Sequence, residues 1–493
     1  HPLLRALVAS YAPFLDHPLN PPDRDIAGLA RDLEEALGTV ATPGQSKAMG
    51  ALARLLSTSI ERPALIMTGY AGTGKTTVAA ALVQVMCRIG RKVILLAPTG
   101  RAAKVLGGYS GTAASTIHRH IYRMETGPDG SGRTVLASNK DRHAVYLVDE
   151  ASMIGEGSGG AFGSRELLSD LLEFVFSGSG NVLVLIGDPA QLPPIGSAMS
   201  EALSARALRA RGVNAGKVAL TEVVRQGEGS GILANATAIR QQMGTSLTIP
   251  RFSIDHPDVS RVEGLELQEE LESAFARYGQ EEVCVITRSN KRAYQYSMQI
   301  RNRVIGHEEE LAAGDRLMVV RNDYFWGGHN GRPELIANGE PIELIRVRDE
   351  VLMHGARYRW VEAAWNNGSE RREGEFLLWV DALAVDAPAM PFQVRKAMQQ
   401  RVFEGLEGPK RDRLRQLRTH PMGNALEVKY AYAVTCHKAQ GGQWRGVFVD
   451  QGYLTEEMID ADYLKWLYTA VTRATDQLWL LNFHERFFVD GTD

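Results

Sequence analysis

Short apolar runs with the length of β-strands recur through the first half of the chain. They cover residues 64–68, 93–97, 145–148 and 182–186, and the segments between them have helical periodicity. Continuous apolar strands that alternate with helices are typical of a parallel sheet covered on both faces. A shorter amphipathic stretch at 26–37 predicts a helix before the first strand. The pattern therefore predicts an α/β block in this part of the chain.

A second α/β block is indicated from about Val218 onward. Its apolar runs lie at 283–286, 431–434 and 478–481. Between 311 and 425 the runs instead alternate and are rich in turn residues, which favours a small antiparallel barrel inserted in this block. Its strands are expected at 343–348, 357–363 and 375–380.

Two further segments depart from the α/β pattern. Residues 117–142 contain a Gly/Pro/Asp/Ser turn between two short β-prone runs, a pattern that predicts a hairpin. Residues 391–418 have a helical pattern and carry eight Lys and Arg against three Asp and Glu. A basic helical segment either contacts phosphate or is simply solvated.

Composition excludes several classes of protein. The 493 residues suggest roughly three domains at ~150 residues each. Hydrophobic residues at 44% and charged residues at 23% are close to the values of globular proteins. We expect no membrane span and no secretory signal in the first thirty residues. Three separated cysteines fit a reducing cytosol, so a cytoplasmic location is expected. A net charge of −3 means that any contact with nucleic acid must use local basic surfaces.

A phosphate-binding loop follows the first apolar run. Residues 69–76, GYAGTGKT, match G-x-x-x-x-G-K-[ST] between a strand and a helix-like run at 78–86. Backbone N–H groups of such a loop face the phosphates, Lys75 would reach the β- and γ-phosphates, and Thr76 would bind Mg²⁺. The nucleotide-binding residues expected here are Gly69, Gly72, Thr73, Gly74, Lys75, Thr76 and Thr77.

Two acids follow the run at 145–148. Asp149 and Glu150 come at the carboxyl end of a hydrophobic strand, where parallel sheets bind their ligands. Asp149 would hold Mg²⁺ through water, and Glu150 would polarise the attacking water. Together with the phosphate loop, the pair predicts hydrolysis of a nucleoside triphosphate, with ATP the expected one and Mg²⁺ as cofactor.

The order of these and other motifs resembles superfamily 1 helicases, specifically the B-type, RecD/Dda-like group that moves 5′ to 3′. The resemblance covers about residues 42–482. It implies two RecA-like domains with ATP bound between them, a β-hairpin pin inserted in the first and an SH3-like β-barrel in the second. The implied limits are an N-terminal extension at 1–40, domain 1A at 41–216 with the pin (1B) at 117–142, domain 2A at 217–310 and 426–493, and domain 2B with its basic helices at 311–425.

Further nucleotide contacts are implied by this resemblance. Gln45, in the sequence TPGQ, resembles the glutamine of the Q motif that reads the adenine edge, although such a turn alone is more often a helix start. Gln191, in GDPAQLPP, resembles the motif III residue that senses the γ-phosphate. Residues 220–226 and 468–474 resemble motifs IV and VI and supply Arg225 and Arg473, both placed in the second block. An arginine finger stabilises transition-state charge, whereas most arginines are surface salt-bridge partners.

Motif V is represented by residues 433–444. Gln443 stands where many relatives carry an acid, so selection of the ribose, and hence of ATP, is open. Cys436 lies in the same segment and is expected to pack rather than to react. The resemblance also assigns DNA contacts to motif Ia, to the segment after it and to motif V. These residues are Pro98, Thr99, Arg101, Thr116, His118, Thr435, His437 and Lys438. A structural role for His118 is the alternative.

Strand separation needs a wedge at the fork, and the resemblance assigns it to the 117–142 hairpin. Ile121, Tyr122 and Met124 are its apolar candidates. In the expected barrel, residues 322–332 mix aromatic and basic side chains that either stack on single-stranded DNA or form core. The members of this mixture are Asn322, Tyr324, Phe325, Trp326 and Arg332.

These observations predict an ATP-dependent DNA helicase that translocates 5′ to 3′ on single-stranded DNA. Its partners would be single-stranded and forked or tailed duplex DNA, it would act as a monomer, and no protein partner is indicated. The alternative is a DNA-binding ATPase subunit or clamp of a larger recombination or repair complex, with little unwinding alone. An RNA-directed ATPase is also open, because grooves that mainly contact phosphate distinguish RNA from DNA poorly.

Overall fold

The structure is a computed structural model that describes residues 26–126, 132–155, 166–194, 196–224, 229–243, 249–327, 335–367 and 370–489. The chain divides into two compact units. The first contains the residues up to Pro98, Ala102–Tyr122 and Leu136–Glu228. The second contains Thr99–Arg101, Arg123–Val135 and Gly229–Asp493.

A parallel sheet forms the centre of the first unit. Within the described ranges it has six strands in the order β3-β2-β6-β7-β1-β8. Their bounds are β1 Pro63–Gly69, β2 Val93–Ala97, β3 Ala114–Thr116, β6 Val145–Val148, β7 Val182–Gly187 and β8 Asn214–Leu220. The helices are α1 Ile26–Leu37, α2 Pro43–Leu56, α3 Lys75–Arg88, α4 Gly100–Ser110, α5 Ile117–Ile121, α6 Leu167–Ser177 and α7 Ala205–Ala210. Separate apolar cores cover the two faces of the sheet, so the predicted α/β pattern is confirmed.

Strand β8 changes the expected limit between the two α/β blocks. It pairs in parallel with β1 over its full length, from Asn214 opposite Pro63 to Leu220 opposite Gly69. The placement of the second block from Val218, with a limit at 216/217, is therefore wrong, because that limit would cut a paired strand. The first unit continues to Glu228.

The second unit contains another parallel sheet, with the order β16-β10-β17-β18-β9 among the described residues. Its strands are β9 Val259–Val262, β10 Val283–Thr287, β16 Ala433–Thr435, β17 Trp444–Asp450 and β18 Ala474–Leu481. The helices are α8 Gly231–Gln242, α9 Leu267–Tyr278, α10 Asn290–Gln299, α13 Cys436–Ala439 and α14 Ala461–Val471, and a π-helical turn at Ile300–Ile305 extends α10. The rings of Phe448 and Trp479 stack at 4.3 Å in its core.

An antiparallel sheet is inserted between β10 and β16, as the alternating pattern predicts. Its strands, in the order β14-β13-β12-β11-β15, are β11 Arg316–Val319, β12 Pro341–Met353, β13 Ala356–Asn367, β14 Glu370–Trp379 and β15 Val428–Tyr430. One continuous apolar core joins it to the parallel sheet of the same unit. The basic segment forms helices α11 Phe392–Glu404 and α12 Lys410–Thr419. Strand β15 lies beyond the expected limit at 425.

Only part of the 117–142 segment forms the expected hairpin. Residues 117–121 form helix α5, and β4 (Tyr122–Thr126) and β5 (Gly132–Leu136) then form a two-stranded ribbon. Ile121 is fully buried, and the Tyr122 hydroxyl donates to Asp170 at 2.7 Å. Both side chains pack with the core of the first unit. The expected exposure of Ile121 at a fork is therefore wrong, whereas that of the half-buried Tyr122 stays a prediction. The side chain of Met124 lies outside the described part. Among the helices described, none has both the length and the apolar character needed to cross a membrane.

Candidate nucleotide and nucleic-acid sites

The phosphate loop links β1 to α3 and is shaped by its glycines. Gly74 has φ +79°, in the left-handed region, which favours a residue without Cβ. At Gly69 a Cβ atom would lie 2.6 Å from Thr73 Oγ1 and 3.1 Å from Leu220 Cβ. The loop therefore leaves no space for a side chain at either position. Thr73 is buried and donates from Oγ1 to the carbonyl oxygen of Tyr70 at 2.8 Å, which closes the turn.

Lys75 begins α3, and its ammonium lies inside the loop. Its Nζ atom donates to the carbonyl oxygens of Gly69 at 2.7 Å and Tyr70 at 2.8 Å. Asp188 Oδ2 lies 3.9 Å from the same atom, and the Asp188 side chain is only 1% exposed. Sequence reasoning gave Asp188 no role, although it lies within the motif that contains Gln191. The structure adds this buried carboxylate to the site because β7 and β1 are adjacent and end together.

One of the two expected Mg²⁺ ligands, Asp149, is bound by a residue outside the motifs. The hydroxyl of Tyr109, on α4, donates to Asp149 Oδ2. Burial, followed by the nearby Asp149 carboxylate, raises the pKa of the Tyr109 phenol far above its ordinary value. The hydroxyl of Thr76 and the carboxylate of Asp149 offer oxygen ligands of the kind Mg²⁺ prefers, and such sites use few protein ligands. The residues therefore fit the expected ion.

Glu150 and Gln191 lie at the carboxyl ends of β6 and β7. Glu150 has φ +52°, an uncommon conformation for a residue with a side chain, and its N–H donates to Asp149 Oδ1 at 2.8 Å. Gln191 is 7% exposed and donates its N–H to the carbonyl oxygen of Asp188 at 3.3 Å. Both residues therefore belong to turns at the same edge of the sheet as Lys75.

Gln45 has a structural role as well as a place at the loop. Its N–H donates to Thr42 Oγ1 at 3.2 Å, and the N–H of Thr42 donates to Gln45 Oε1 at 3.0 Å, which forms a capping box at the start of α2. Its side chain is buried, and Nε2 would lie 2.3 Å from a Cβ atom added at Gly74. The helix start considered from sequence is thus real, and it holds the amide nitrogen against the phosphate loop.

The segment that resembles motif IV lies over this loop and not in the second unit. Val224 donates its N–H to the carbonyl oxygen of Gly72 at 2.9 Å. Glu222 Oε2 accepts the N–H of Gly44 at 3.2 Å, a contact that sequence reasoning missed. Residues 220–224, which lead to Arg225, belong to the first unit. The expected place of this segment in the second block is therefore wrong. Arg225 itself lies outside the described residues.

Arg473, at the end of α14, is almost fully buried, with 3% of its surface exposed. It donates from Nε to Thr469 O at 3.0 Å, from Nη1 to Gly442 O at 3.1 Å and from Nη2 to Thr472 Oγ1 at 3.2 Å. The bond to Gly442 connects the segment that resembles motif VI to the one that resembles motif V. Gln443 is exposed. Cys436 is fully buried with Sγ 3.5 Å from Trp466 O, which fits the expected packing role.

The expected DNA contacts of the first unit lie at the edge strand β3. Thr116 is buried and caps α5, because its Oγ1 accepts the N–H of Arg119 at 3.2 Å. His118 is half-buried beside Tyr122, with ring centres 5.6 Å apart, and burial lowers its pKa. Thr116 thus has a local structural role, while the His118 ring keeps a partly exposed surface. Pro98 is half-buried.

Arg101 and the motif V residues belong to the second unit. The guanidinium carbon of Arg101 lies 3.6 Å from the ring centre of Trp444, a cation–π stack, and burial lowers its pKa to about 10. Lys438 Nζ donates to Asn338 Oδ1 at 3.1 Å, and burial lowers its pKa to about 8. The other expected contacts with DNA in this unit are Thr99 and Thr435, which are half-buried, and His437, which is exposed.

The described part of the aromatic mixture at 322–332 is half-buried. Trp326 donates from Nε1 to Asn424 O at 2.6 Å, and its ring packs edge-on against Trp360 at 5.7 Å. The Asn322 side chain accepts the N–H of Asn338 at 2.8 Å, while Tyr324 and Phe325 are half-buried. Arg332 lies outside the described residues. Trp326 is therefore fixed against the core by these contacts, although its side chain is only partly buried.

The basic helices differ in how far they are packed. Helix α11 buries Met398 and Val402 against the antiparallel sheet. Helix α12 has no buried residue, and Arg411 and Arg415 are exposed on it. Arg413 instead lies 4.5 Å above the ring of Phe403. Two of these three arginines are therefore exposed to solvent.

Comparisons with known proteins agree with the motif order. Residues 41–249 match the AAA domain family, and residues 430–481 match the UvrD-like helicase C-terminal domain family. Over 162 residues the chain is 34% identical to the ATP-dependent RecD2 DNA helicase of Deinococcus radiodurans, which covers 33% of this chain and 19% of that protein. Over 160 residues it is 29% identical to the ATP-dependent DNA helicase dda of Enterobacteria phage T4, or 31% of this chain and 33% of that protein. The chain is related to RecD/Dda-like superfamily 1 helicases.

The matched part of these RecD/Dda-like relatives is limited. A third, the RecBCD enzyme subunit RecD of Mycolicibacterium smegmatis, is 31% identical over 195 residues, or 35% of this chain and 32% of that protein. The chain thus spans between 19% and 33% of the length of the three relatives. The crystal structure of a Bacteroides Pif1 helicase with ADP-AlF3 and ssDNA aligns over 92% of this chain and 95% of that chain at 16% identity. Its TM-score is 0.48.

Proposed function

We propose that the chain is an ATP-dependent, Mg²⁺-requiring DNA helicase that moves 5′ to 3′ on single-stranded DNA. The observation that carries the proposal is the edge of the first sheet, where Lys75, Asp188 and Asp149 follow the ends of β1, β7 and β6. These strands are neighbours in the order β6-β7-β1, so a cation and two carboxylates gather at one edge. A phosphate loop beside such acids suits cleavage of a nucleoside triphosphate.

Each residue at this edge has a chemical task in the proposed reaction. Lys75 would transfer its hydrogen bonds from the carbonyl oxygens of Gly69 and Tyr70 to phosphate oxygens, and Glu150 would orient the attacking water. Bound Mg²⁺, held by Thr76 and Asp149, would neutralise charge on the phosphate oxygens. Gln45 would offer its Nε2 donor to an acceptor on the base, because its Oε1 is occupied in the capping box.

The DNA-related part of the proposal has separate support. Relatives named as DNA helicases match about a third of the chain, and residues 41–249, which contain the phosphate loop, match the AAA domain family. We assign the two parallel sheets to RecA-like domains, the β4–β5 ribbon to the pin and the antiparallel sheet to an SH3-like barrel. The exposed His437 and the ammonium of Lys438 would contact the strand, with the arginines of α12 as a further basic surface. Direction rests on the resemblance alone.

Strand separation by the purified chain tests the proposal. Partial duplexes with either a 5′ or a 3′ single-stranded tail are incubated with ATP and Mg²⁺, and a Lys75→Ala variant serves as the blank. Unwinding only from the 5′ tail, lost in the variant, is the expected result. Unwinding from the 3′ tail would retain the motor and refute the direction, and a chain without DNA-stimulated ATPase would refute the function.

A second candidate is a DNA-binding ATPase subunit or clamp of a larger complex. The match to a RecBCD enzyme subunit favours it, because that protein is named as part of an assembly. The same experiment separates the candidates. DNA-stimulated ATPase without unwinding from either tail would favour the subunit.

A further inference from the structure

Tyr109 connects the helix after β2 to the carboxylate at the end of β6. It lies one residue before the end of α4, and its ring packs against the apolar core beside α3. Its hydroxyl donates to Asp149 Oδ2. The remaining oxygen of the carboxylate, Oδ1, accepts the N–H of Glu150 at 2.8 Å. Both oxygens of Asp149 are therefore held by hydrogen bonds.

The donors and acceptors of this group fix the direction of its hydrogen bonds. A phenol has a single proton and an ionised carboxylate can only accept, so Tyr109 donates to Asp149. The Tyr109 hydroxyl and the Glu150 N–H thus bind different oxygens of the carboxylate and limit its rotation. The remaining lone pairs of both oxygens are left for another partner.

A carboxylate that binds a metal ion, directly or through a water molecule, must present a lone pair in a fixed direction. Residues that hydrogen-bond to a ligating carboxylate and orient it commonly affect metal affinity by about 10- to 100-fold. We propose that Tyr109 is a positioning residue for Mg²⁺, which orients the carboxylate of Asp149. The inference rests on the proposed nucleotide site and adds a residue that lies outside its sequence motifs.

The test is the Mg²⁺ dependence of nucleotide binding, measured without turnover. The full chain, with and without Tyr109→Phe, is titrated with a fluorescent ADP analogue in EDTA and then at increasing Mg²⁺. The Phe variant retains the packed ring and removes only the hydroxyl. We expect the Mg²⁺ concentration for half-maximal enhancement of binding to rise about tenfold or more, while the affinity in EDTA changes less than about twofold.

Tyr146→Phe is the matched control. The Tyr146 hydroxyl bonds to Asn139 at 3.1 Å and Asp141 at 2.8 Å in the same unit, so its loss tests a general effect of removing a buried hydroxyl. This control should keep the wild-type Mg²⁺ dependence. An unchanged or lowered Mg²⁺ requirement in Tyr109→Phe would overturn the inference, since a lowered one means that the phenol competes with the ion. If the nucleotide affinity of the wild-type chain itself does not depend on Mg²⁺, the proposed function fails instead.

Discussion

The backbone N–H of Val224 donates to the carbonyl oxygen of Gly72, 2.9 Å away. This bond attaches the segment after β8 to the phosphate loop, and Glu222 attaches the same segment to the start of α2. Arg225 is the next residue in the sequence. An arginine contributed from this segment would therefore belong to the unit that contains Lys75.

Replacing Arg225 and Arg473 separately should give different results. Arg225→Ala should lower ATP turnover by about 10³-fold or more, the usual contribution of an arginine finger. Arg473→Ala should also lower the free energy of unfolding by about 1–3 kcal/mol, because its buried guanidinium satisfies the carbonyl oxygens of Gly442 and Thr469. Steady-state ATPase assays and urea unfolding measure both. Wild-type turnover in Arg225→Ala would contradict the assignment.

Glu150→Gln should separate nucleotide binding from hydrolysis. The amide has the same shape and can keep the left-handed backbone at φ +52°, but it cannot accept a proton from water. We expect ATP affinity close to wild type and turnover lower by about 10²–10⁴-fold. Binding of a fluorescent ATP analogue and single-turnover hydrolysis measure the two effects. Equal loss of both would assign Glu150 a structural role.

Gln45 offers a pair of variants that separate its two roles. Gln45→Glu keeps an oxygen to accept the N–H of Thr42 and removes the Nε2 donor, so stability should be retained while the preference for ATP over GTP falls about tenfold. Gln45→Ala should in addition lose about 1 kcal/mol of stability with the capping box. Competition between nucleotides and thermal unfolding are the measurements. An undiminished preference in Gln45→Glu would exclude a contact to the base through Nε2.

Removing the ribbon tests the proposed pin. Residues 123–135 are replaced by Gly-Gly, and Tyr122 and Leu136 remain packed on the first unit. The two ends already lie together, because Ala137 donates its N–H to Ile121 O at 2.7 Å. DNA-stimulated ATPase should persist, while unwinding of a 5′-tailed duplex should be lost. Unwinding at the wild-type rate would show that strand separation does not use this ribbon.

Lys438 gives a prediction that depends on pH. Burial lowers its pKa to about 8, so its charge is present below that pH and is lost as the pH rises through it. If it contacts a phosphate, raising the pH from about 7 to about 9.5 should reduce the salt dependence of DNA binding by ~1 in log–log slope. Lys438→Gln should have the smaller slope at both values.

Lys429→Gln is the control for this pH effect. Burial also lowers the pKa of Lys429 to about 8, but its Nζ donates to the carbonyl oxygens of Leu383 and Val385. Its removal should leave the pH dependence of the slope in place. Loss of that dependence in Lys429→Gln and its retention in Lys438→Gln would reverse the assignment.

The sequence predicts those elements whose burial is uniform. Strands β2 and β6 have the expected bounds because all their positions except Val93 are buried, which produces a continuous apolar run. Strand β8 is an edge strand with only Ala215 and Leu220 buried, so no such run reveals it. Its weak pattern explains why the limit between the two units was placed too early.

The candidate site shows a similar division. The phosphate loop and the acids after β6 are contiguous in sequence, and their chemistry is readable from residue type and spacing. Tyr109 and Glu222 reach the site through the end of a helix and a crossing loop, and no periodicity marks them. Ile121 was misplaced for a local reason, because Thr116 caps a short helix in the segment expected to be a strand.

The pairing of β8 with β1 has a consequence for variation and redesign. The register runs without a shift from Asn214 to Leu220, so the strand ends level with the start of the phosphate loop. Deleting one residue would draw Glu222 and Val224 back by about 3.3 Å, farther than their hydrogen bonds to the loop region can stretch. The exposed positions of β8 are therefore free to change in composition, whereas its length is fixed. Substitutions should be tolerated in this strand, and insertions or deletions should not.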